Sequence, residues 1–332
     1  MPVSRWLKCS KPLLRHCKTI LPGMQMTELY PWLLPPFQQM QALTENGQLA
    51  HALVLTGAAG IGKNALANAL AALLLCKNRQ PQGACGACKS CLLRQAGNHA
   101  DLLVLQSETQ HIGVDAIRQL NQFTYSAAQQ QGYRVVIIPG ADSMTEAAAN
   151  ALLKTLEEPP AGCFIVLVTS TYSQLSATIR SRCQRWQLNA GRATDLEQWL
   201  SRQSRQPIPP ELLDYCQGSP LKALRLLANE QADSLSKMLT ILDDYFAGKL
   251  LLSATVKQLD GNAELSGMLG FYLRQRLAQP LDFLRQQTVL AVYQRWCRDA
   301  TRIIGQNSAL ALTGLLTELK PLLQHQEAKW KS

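Results

Sequence analysis

Short apolar runs alternate with helix-like segments over about the first 190 residues. The runs are continuously apolar, which is typical of strands that are buried on both faces of a sheet. Between them, Val114, Ile117, Leu120 and Phe123 recur at helical spacing. This alternation predicts a parallel sheet flanked by helices. The predicted strands are residues 53–55, 102–105, 135–138 and 164–168, and the clearest predicted helices are 65–75 and 147–156.

The strand pattern stops near residue 190, and helical segments follow to the end of the sequence. Glycines and prolines break this region, most clearly at 207–210. We therefore expect an α/β domain over residues 26–190, a small helical domain over 191–231 and an all-helical domain over 232–332. The helices predicted first in this region are 193–203, 211–217, 220–229 and 234–246.

Leucines recur at helical spacing in the last of these domains. Such stripes are buried inside a helical bundle, or they contact neighbouring subunits when a protein assembles. The pattern alone leaves both uses open. The stripes are Leu269, Leu273 and Leu277, and Leu312, Leu315, Leu316 and Leu319.

A glycine-rich loop joins the first predicted strand to the first predicted helix. Residues 57–64 read G-A-A-G-I-G-K-N, which matches the phosphate-binding pattern G-x-x-x-x-G-K. In such a loop, backbone N–H groups cradle phosphates and the lysine reaches the terminal phosphates. The candidate nucleotide-binding residues are therefore Gly57, Gly62 and Lys63. The strand before the loop and the helix after it favour a P-loop fold.

The half of a P-loop site that holds Mg²⁺ is missing. Asn64 replaces the Ser or Thr whose hydroxyl binds the metal. The strand 135–138 ends in Pro139 and Gly140, where a hydrolysing enzyme has one acid for Mg²⁺ and a second that positions the attacking water. We expect no ATP hydrolysis and no bound ATP, although backbone N–H groups could still bind phosphate weakly.

Four of the ten cysteines are clustered with the spacing C-x8-C-x2-C-x2-C, at Cys76, Cys85, Cys88 and Cys91. Two-residue gaps let neighbouring thiolates face one ion, and four thiolates make a closed tetrahedral Zn²⁺ site with no position for a reaction. The segment between them has few apolar side chains, so zinc would supply its order. The sequence predicts a structural zinc module over residues 76–91. The alternative is a set of disulfides or idle thiols.

Composition and charge exclude several classes of protein. The 332 residues are 47% hydrophobic and 17% charged, as in a globular protein, and no apolar run is long enough to span a bilayer. The formal net charge is +10, and residues 1–25 supply five positive charges with no acid. We expect this segment to be a disordered extension or upstream sequence with a misassigned start, because its charges interrupt any secretory signal.

Two phrases indicate a family. Residues 149–160 read A-N-A-L-L-K-T-L-E-E-P-P and residues 181–183 read S-R-C; with the cysteine quartet, they resemble the clamp-loader branch of the AAA+ ATPases. The resemblance covers nearly the whole chain from Tyr30. It implies an AAA+ P-loop domain with an inserted zinc module, a helical lid domain and a helical collar domain that closes a pentameric ring. The family's motor subunits, gamma and tau, keep the metal-binding residues that this sequence lacks.

The resemblance also implies roles for single residues. In this family the arginine of S-R-C reaches across a subunit boundary to the γ-phosphate of ATP bound next door. Arg182, beside Ser181, would be this arginine finger acting in trans. The alternative is that Arg182 belongs to a basic run with Arg180 and Arg185 that is solvated or contacts phosphate. Leu221 stands where the family has a sensor arginine for bound nucleotide.

Thr169 stands at the place of the family's polar sensor at a strand end. Without a functional nucleotide site, we expect it to be a relic.

Three functions compete on this basis. The leading one is an ATPase-inactive clamp-loader subunit that braces a ring with gamma/tau and delta subunits, so that a sliding clamp is loaded on primed DNA in the bacterial cytoplasm. Nucleotidyltransferase activity would then belong to the polymerase complex. The second is an ATP-hydrolysing motor subunit, which Pro139 and Gly140 argue against. The third is a zinc-ribbon nucleic-acid binder, which leaves the P-loop and the shared phrases unexplained.

Overall fold

The computed structural model describes residues 29–105, 111–130, 132–204, 207–229, 231–262, 264–278, 282–302 and 307–324. The basic segment 1–25 lies outside these residues. The described residues up to Thr56, together with Gly62–Leu188, form one compact unit. Gly57–Ile61 and the described residues from Asn189 onward form a second unit. The second unit contains both expected helical segments, so their separation at residue 231 stays a prediction.

The first unit is built on a parallel sheet. Within the described residues it has five strands in the order β2-β3-β4-β1-β5. The central strand β4 pairs with β1 on one side and with β3 on the other. The register aligns Val54 with Leu167 and Val136 with Ile165. The strands are β1 (Ala52–Thr56), β2 (Leu102–Val104), β3 (Arg134–Pro139), β4 (Cys163–Thr169) and β5 (Gln184–Gln187).

The inner strands are buried at every position except Phe164 and Pro139, which are partly buried, as their continuous apolar pattern predicts. Val54, Val136, Ile138 and Ile165 are at most 1% exposed and share one core. Helices cover both faces, so a side chain on either face of the pleat leaves water. The predicted parallel sheet flanked by helices is confirmed.

The fifth strand is a finding that the apolar pattern did not predict. β5 reads Gln184-Arg185-Trp186-Gln187 and pairs with β1 alone, at the edge of the sheet. Its glutamines and Arg185 are exposed. A strand of this kind is held by backbone hydrogen bonds to one neighbour, so it needs no apolar run.

Two helices of the first unit begin at a residue whose side chain caps the helix. Thr145 caps the helix after β3 by accepting the Ala148 N–H at 3.2 Å, and Ser176 accepts the Ile179 N–H at 3.3 Å. The predicted helices 65–75 and 147–156 are present with slightly longer bounds. The helices are α1 (Leu34–Glu45), α2 (Lys63–Leu75), α3 (Lys89–Gln95), α4 (Val114–Tyr125), α5 (Glu146–Glu157) and α6 (Ala177–Arg180).

All the secondary-structure elements described in the second unit are helices. It buries six of the seven stripe leucines, Leu277 being half-buried. These stripes therefore serve the unit's own core. The exposed large apolar side chains of the unit lie outside the stripes, at Leu251, Phe283, Leu284, Leu290 and Leu310. The helices are α7 (Ala193–Gln203), α8 (Leu212–Tyr215), α9 (Pro220–Ala228), α10 (Gln231–Phe246), α11 (Leu252–Leu259), α12 (Leu265–Leu277), α13 (Phe283–Arg302) and α14 (Ser308–Gln324).

Candidate functional site

The P-loop lies where the sequence predicts it, between β1 and α2. Gly62 is the residue before α2, and its φ of 99° is in the left-handed region that favours glycine. Lys63 is the first residue of α2 and is buried, whereas Asn64 is exposed. Glycine at position 62 is therefore explained by its backbone conformation, which other residues adopt only with strain.

The P-loop lysine is bound to a residue of its own chain. The Lys63 ammonium donates a hydrogen bond of 3.0 Å to the Ser170 hydroxyl, which follows β4. Burial lowers the pKa of Lys63, and the nearby charge of Asp142 opposes that shift. The Lys63 ammonium thus interacts with Ser170 and Asp142, which both belong to the first unit.

The end of β3 carries no acid, as the sequence indicates. Gly140 follows Pro139 with a φ of 63° and leads into a short 3-10 helix, Ala141–Ser143. Asp142 in that helix is the acid that acts on Lys63. Sequence reasoning missed Asp142 because it lies beyond the two positions where the motif has acids.

Side chains before α1 pack against the P-loop. A Cβ added at Gly62 would lie 2.9 Å from Leu33 Cδ1 and 3.0 Å from Tyr30 Cδ2. The Tyr30 ring also stacks on Trp32, with ring centroids 5.1 Å apart. Tyr30 and Leu33 therefore occupy space directly over the glycine at the start of α2, and the motif pattern gave no sign of this.

Within the second unit, Gly60 contacts the start of α9. A Cβ at Gly60 would lie 2.6 Å from Ser219 Oγ and 3.0 Å from the backbone nitrogen of Lys222. The Leu221 N–H is 3.3 Å from the Gly60 carbonyl, to which it donates. Leu221, the position of the expected sensor arginine, thus meets this loop through its backbone.

Thr169 ends β4 and is 1% exposed. Its hydroxyl accepts the Thr171 N–H at 3.0 Å. This contact gives the residue a local structural role in the turn after β4.

The four cysteines come together as predicted. Their sulfur atoms all lie within 4.8 Å of one another, with Cys76 and Cys85 at 3.6 Å and Cys85 and Cys91 at 4.0 Å. A tetrahedral Zn²⁺ with bonds of about 2.3 Å requires sulfur–sulfur separations of about 3.8 Å. The cluster therefore fits a metal ion of this kind, and all four thiols are free rather than paired in disulfides.

Backbone groups around the cluster favour thiolates. The Cys85 N–H is 3.3 Å from the Cys76 sulfur and the Cys88 N–H is 3.3 Å from the Cys85 sulfur. Burial opposes ionisation of Cys88, but backbone N–H donors at Lys77 and Cys91 lower its pKa to about 6. Burial raises the pKa of Cys91 to about 12, so ionisation of that buried sulfur needs the charge of a bound cation.

A buried hydrogen-bond network joins the cysteine cluster to the sheet. The Ser90 hydroxyl donates to the Leu75 carbonyl at 2.6 Å and accepts from His99 Nε2 at 2.7 Å. His99 Nδ1 accepts the Asp101 N–H at 3.1 Å, which assigns the neutral Nε2–H tautomer. Burial lowers the pKa of His99. The Asp101 carboxylate in turn accepts the N–H groups of Gln129 and Gln130.

His51 makes a simpler contact, donating from Nε2 to the Leu156 carbonyl at 3.0 Å. Both histidines thus have local hydrogen-bonding roles.

Arg182 follows α6 and lies at the surface of the first unit. Its Nε donates to Glu157 Oε1 at 2.7 Å, and its Nη1 donates to the Thr178 carbonyl at 2.9 Å and to the Ser181 hydroxyl at 3.2 Å. Its side chain is 35% exposed. The geometry thus presents a held arginine at an accessible surface, and the partner Glu157 was not predicted.

The neighbouring arginines make separate contacts. Arg185 lies over the Tyr172 ring, 4.2 Å from its centroid, and donates to Gln187 at 3.0 Å. Arg180 lies 5.6 Å from the same ring centroid. The three arginines therefore do not form one uniform basic run, because Arg182 alone of them is hydrogen-bonded to Glu157.

None of the described helices is both long enough and apolar enough to cross a membrane.

The fold and the site define an AAA+-type α/β protein: a five-stranded parallel sheet, a P-loop before α2, a cysteine cluster and a helical C-terminal region. A family model described as DNA polymerase III, delta subunit, matches residues 35–191. The delta-prime subunit of DNA polymerase III from Yersinia pestis is 37% identical over 305 residues, covering 89% of this chain and 88% of its own. Its Escherichia coli counterpart is 32% identical and covers 89% and 96%.

The chain belongs to the delta-prime subunits of the DNA polymerase III clamp loader. Among solved structures, a gamma-subunit-related DNA polymerase III protein from Thermotoga maritima is 20% identical, covering 85% of this chain and 99% of its own, with a TM-score of 0.49. A RuvB branch-migration motor from the same organism is 16% identical, covering 73% and 86%, with a TM-score of 0.38.

Proposed function

We propose that this subunit does not hydrolyse ATP and that it supplies Arg182 to a nucleotide bound by a neighbouring subunit of the clamp loader. The observation that carries the proposal is the contrast between two sites on one chain. Its own P-loop lacks the residues that would bind Mg²⁺, and side chains of the same chain contact Gly62 and Lys63. The S-R-C arginine, in contrast, is held by an ion pair at the surface.

Several separate changes support an inactive nucleotide site. Asn64 has no hydroxyl for Mg²⁺, and Pro139 and Gly140 replace the two acids that hold the metal and the water. Lys63 donates to Ser170, and Tyr30 covers Gly62. Nucleotide binding would have to displace both contacts, so we expect the loop to bind no ATP when the subunit functions in the cell.

The trans role follows from charge chemistry. Negative charge develops on the transferred phosphoryl oxygens during ATP hydrolysis, and a positioned arginine from a second subunit stabilises it. Arg182 is accessible and lies on a surface built by α5 and α6. Ser181 contributes its hydroxyl as one of the acceptors that hold Arg182.

The partners proposed are the gamma or tau motor subunits and the delta subunit, in a five-membered ring in the bacterial cytoplasm. Through this ring the chain would act on a sliding clamp and primed DNA. The Cys76, Cys85, Cys88 and Cys91 cluster would hold a structural Zn²⁺, and polymerase activity would belong to the complete holoenzyme.

Arg182→Ala in a reconstituted loader tests the trans role. The variant should fold and assemble while the loader's ATP turnover falls, because the charge that met the γ-phosphate is gone. Arg182→Lys should restore little, since an ammonium cannot offer the planar fork of a guanidinium.

Arg185→Ala is the matched control, because Arg185 contacts Tyr172 and Gln187 and not Glu157. Equal, salt-dependent losses from both alanine variants would instead mean that the arginines only bind DNA phosphates, and the finger assignment would be withdrawn.

A further inference from the structure

The carboxylate of Glu157 holds one edge of the Arg182 guanidinium. Glu157 Oε1 lies 2.7 Å from Nε and 2.5 Å from Nη2 of Arg182. Nε and Nη2 form one side of the planar guanidinium, so a single carboxylate oxygen faces that side. The pair joins the last residue of α5 to the second residue after α6, and the two residues are 25 apart in the chain.

The far edge of the guanidinium, formed by Nη1 and Nη2, is only partly occupied by acceptors of the same chain. Nη1 contacts the Thr178 carbonyl at 2.9 Å and the Ser181 hydroxyl at 3.2 Å, and the second contact is long for a hydrogen bond to a hydroxyl. One of the two Nη2 hydrogens has no acceptor among the described residues. An incoming phosphate could therefore take the edge formed by Nη1 and Nη2 if the Ser181 hydroxyl turns away, while Glu157 keeps its hold.

Both residues of the ion pair lie next to buried, hydrogen-bonded parts of the backbone. Leu156, next to Glu157, is 2% exposed, and its carbonyl accepts a hydrogen bond from His51. Ile179, three residues before Arg182, is fully buried, and its N–H is capped by Ser176. A side chain held between two such elements keeps one orientation.

We propose that Glu157 is a positioning residue for Arg182, fixing the guanidinium so that its Nη1/Nη2 edge faces outward to a phosphate in trans. The inference rests on the proposed function, because it needs Arg182 to act on a neighbour's nucleotide. An unheld arginine has many rotamers, and ordering it on the phosphate costs conformational entropy. Glu157 removes part of that cost before the subunits meet.

Glu157→Gln in the reconstituted loader is the test, and Glu158→Gln is its control. Both substitutions remove one negative charge at the end of α5, and Glu158 is exposed. Glu157→Gln should lower the kcat for ATP by roughly 3- to 10-fold, since misplaced catalytic groups slow chemistry. The KM for ATP and the assembly of the ring should be unchanged. Glu157→Asp should recover part of the loss, and Glu158→Gln should have no effect.

A double-mutant cycle separates positioning from a general structural role. If Glu157 acts through Arg182, adding Glu157→Gln to Arg182→Ala should cause no further loss. A loss of the same size in both backgrounds would overturn the inference. So would a rise in turnover with Glu157→Gln, because Glu157 would then be a competitor of the phosphate.

The outcomes also separate this inference from the proposed function. If Arg182→Ala has no effect on turnover, the trans role itself fails. If Arg182→Ala lowers turnover and Glu157→Gln does not, the arginine finger stands and the positioning role fails. In the isolated chain, nuclear magnetic resonance should show a slowly exchanging Arg182 Nε–H that Glu157→Gln abolishes and Glu158→Gln leaves intact; loss in both variants would also contradict the assignment.

Discussion

At the residue scale, Gly62 of the phosphate-binding motif is packed against side chains of its own chain. Its positive φ is one that favours glycine, and Tyr30 and Leu33 pack onto it. Lys63 beside it donates to Ser170 instead of reaching outward. The motif residues therefore also hold the start of α2 in place, a structural role that does not depend on nucleotide chemistry.

Substituting Gly62 tests this packing. Gly62→Ala should destabilise the fold by about 1–3 kcal/mol, because it adds left-handed strain and a Cβ at contact distance from Leu33 and Tyr30. Gly97→Ala is the control, since Gly97 has a φ of 72° and no atom within 4 Å of its added Cβ. It should cost about 1 kcal/mol from strain alone. Urea unfolding measures both, and equal losses would contradict the packing role.

His99 carries a pH dependence whose sign follows from its contacts. Burial lowers its pKa in the folded chain, and its neutral Nδ1 accepts the Asp101 N–H. The stability it contributes is therefore fully present above the unfolded pKa of about 6.5 and is lost as pH falls through the lower folded value. His99→Gln should remove this part of the acid sensitivity.

The measurement is the free energy of unfolding at pH 7.5 and 5.5 for both chains, at one zinc concentration. An equal decrease in the two chains would mean that His99 does not carry this sensitivity.

Elements differ in how far the sequence predicts them. β1, β3 and β4 are buried on both faces, so their continuous apolar runs identified them. β5 was missed because an edge strand with exposed Gln184 and Arg185 carries no such run. The cysteine cluster was predictable because its ligands are close in sequence.

The Glu157–Arg182 pair and the Tyr30–Gly62 contact could not be predicted in the same way. In each contact, the packing of separate elements brings the two residues together. No spacing in the sequence indicates either contact.

The zinc module is an element whose integrity we expect to depend on its metal. Cys88→Ser should release the one Zn²⁺ that we propose per chain and disorder the segment between Cys76 and α3, because that segment has little apolar core. The sheet should stay folded. Metal analysis and limited proteolysis measure the two effects, with Cys297→Ser, outside the cluster, as the control. Full retention of zinc by Cys88→Ser would contradict the proposed ligand set.

At the scale of the whole molecule, the chain combines an α/β unit that carries Arg182 with a helical unit that buries its own leucine stripes. We propose that this subunit contributes to a shared site and has no working ATPase site of its own. The central claim is therefore about where ATP is hydrolysed in the assembled loader.

Titrating this chain into the other loader subunits, with clamp and primed DNA present, tests that claim most directly through ATP turnover. The chain alone should show no turnover, and adding it should raise turnover until the ring is saturated. Arg182→Ala should assemble to the same stoichiometry and give a much smaller rise. Turnover by the isolated chain that Lys63→Ala abolishes, or a full rise with Arg182→Ala, would contradict the account.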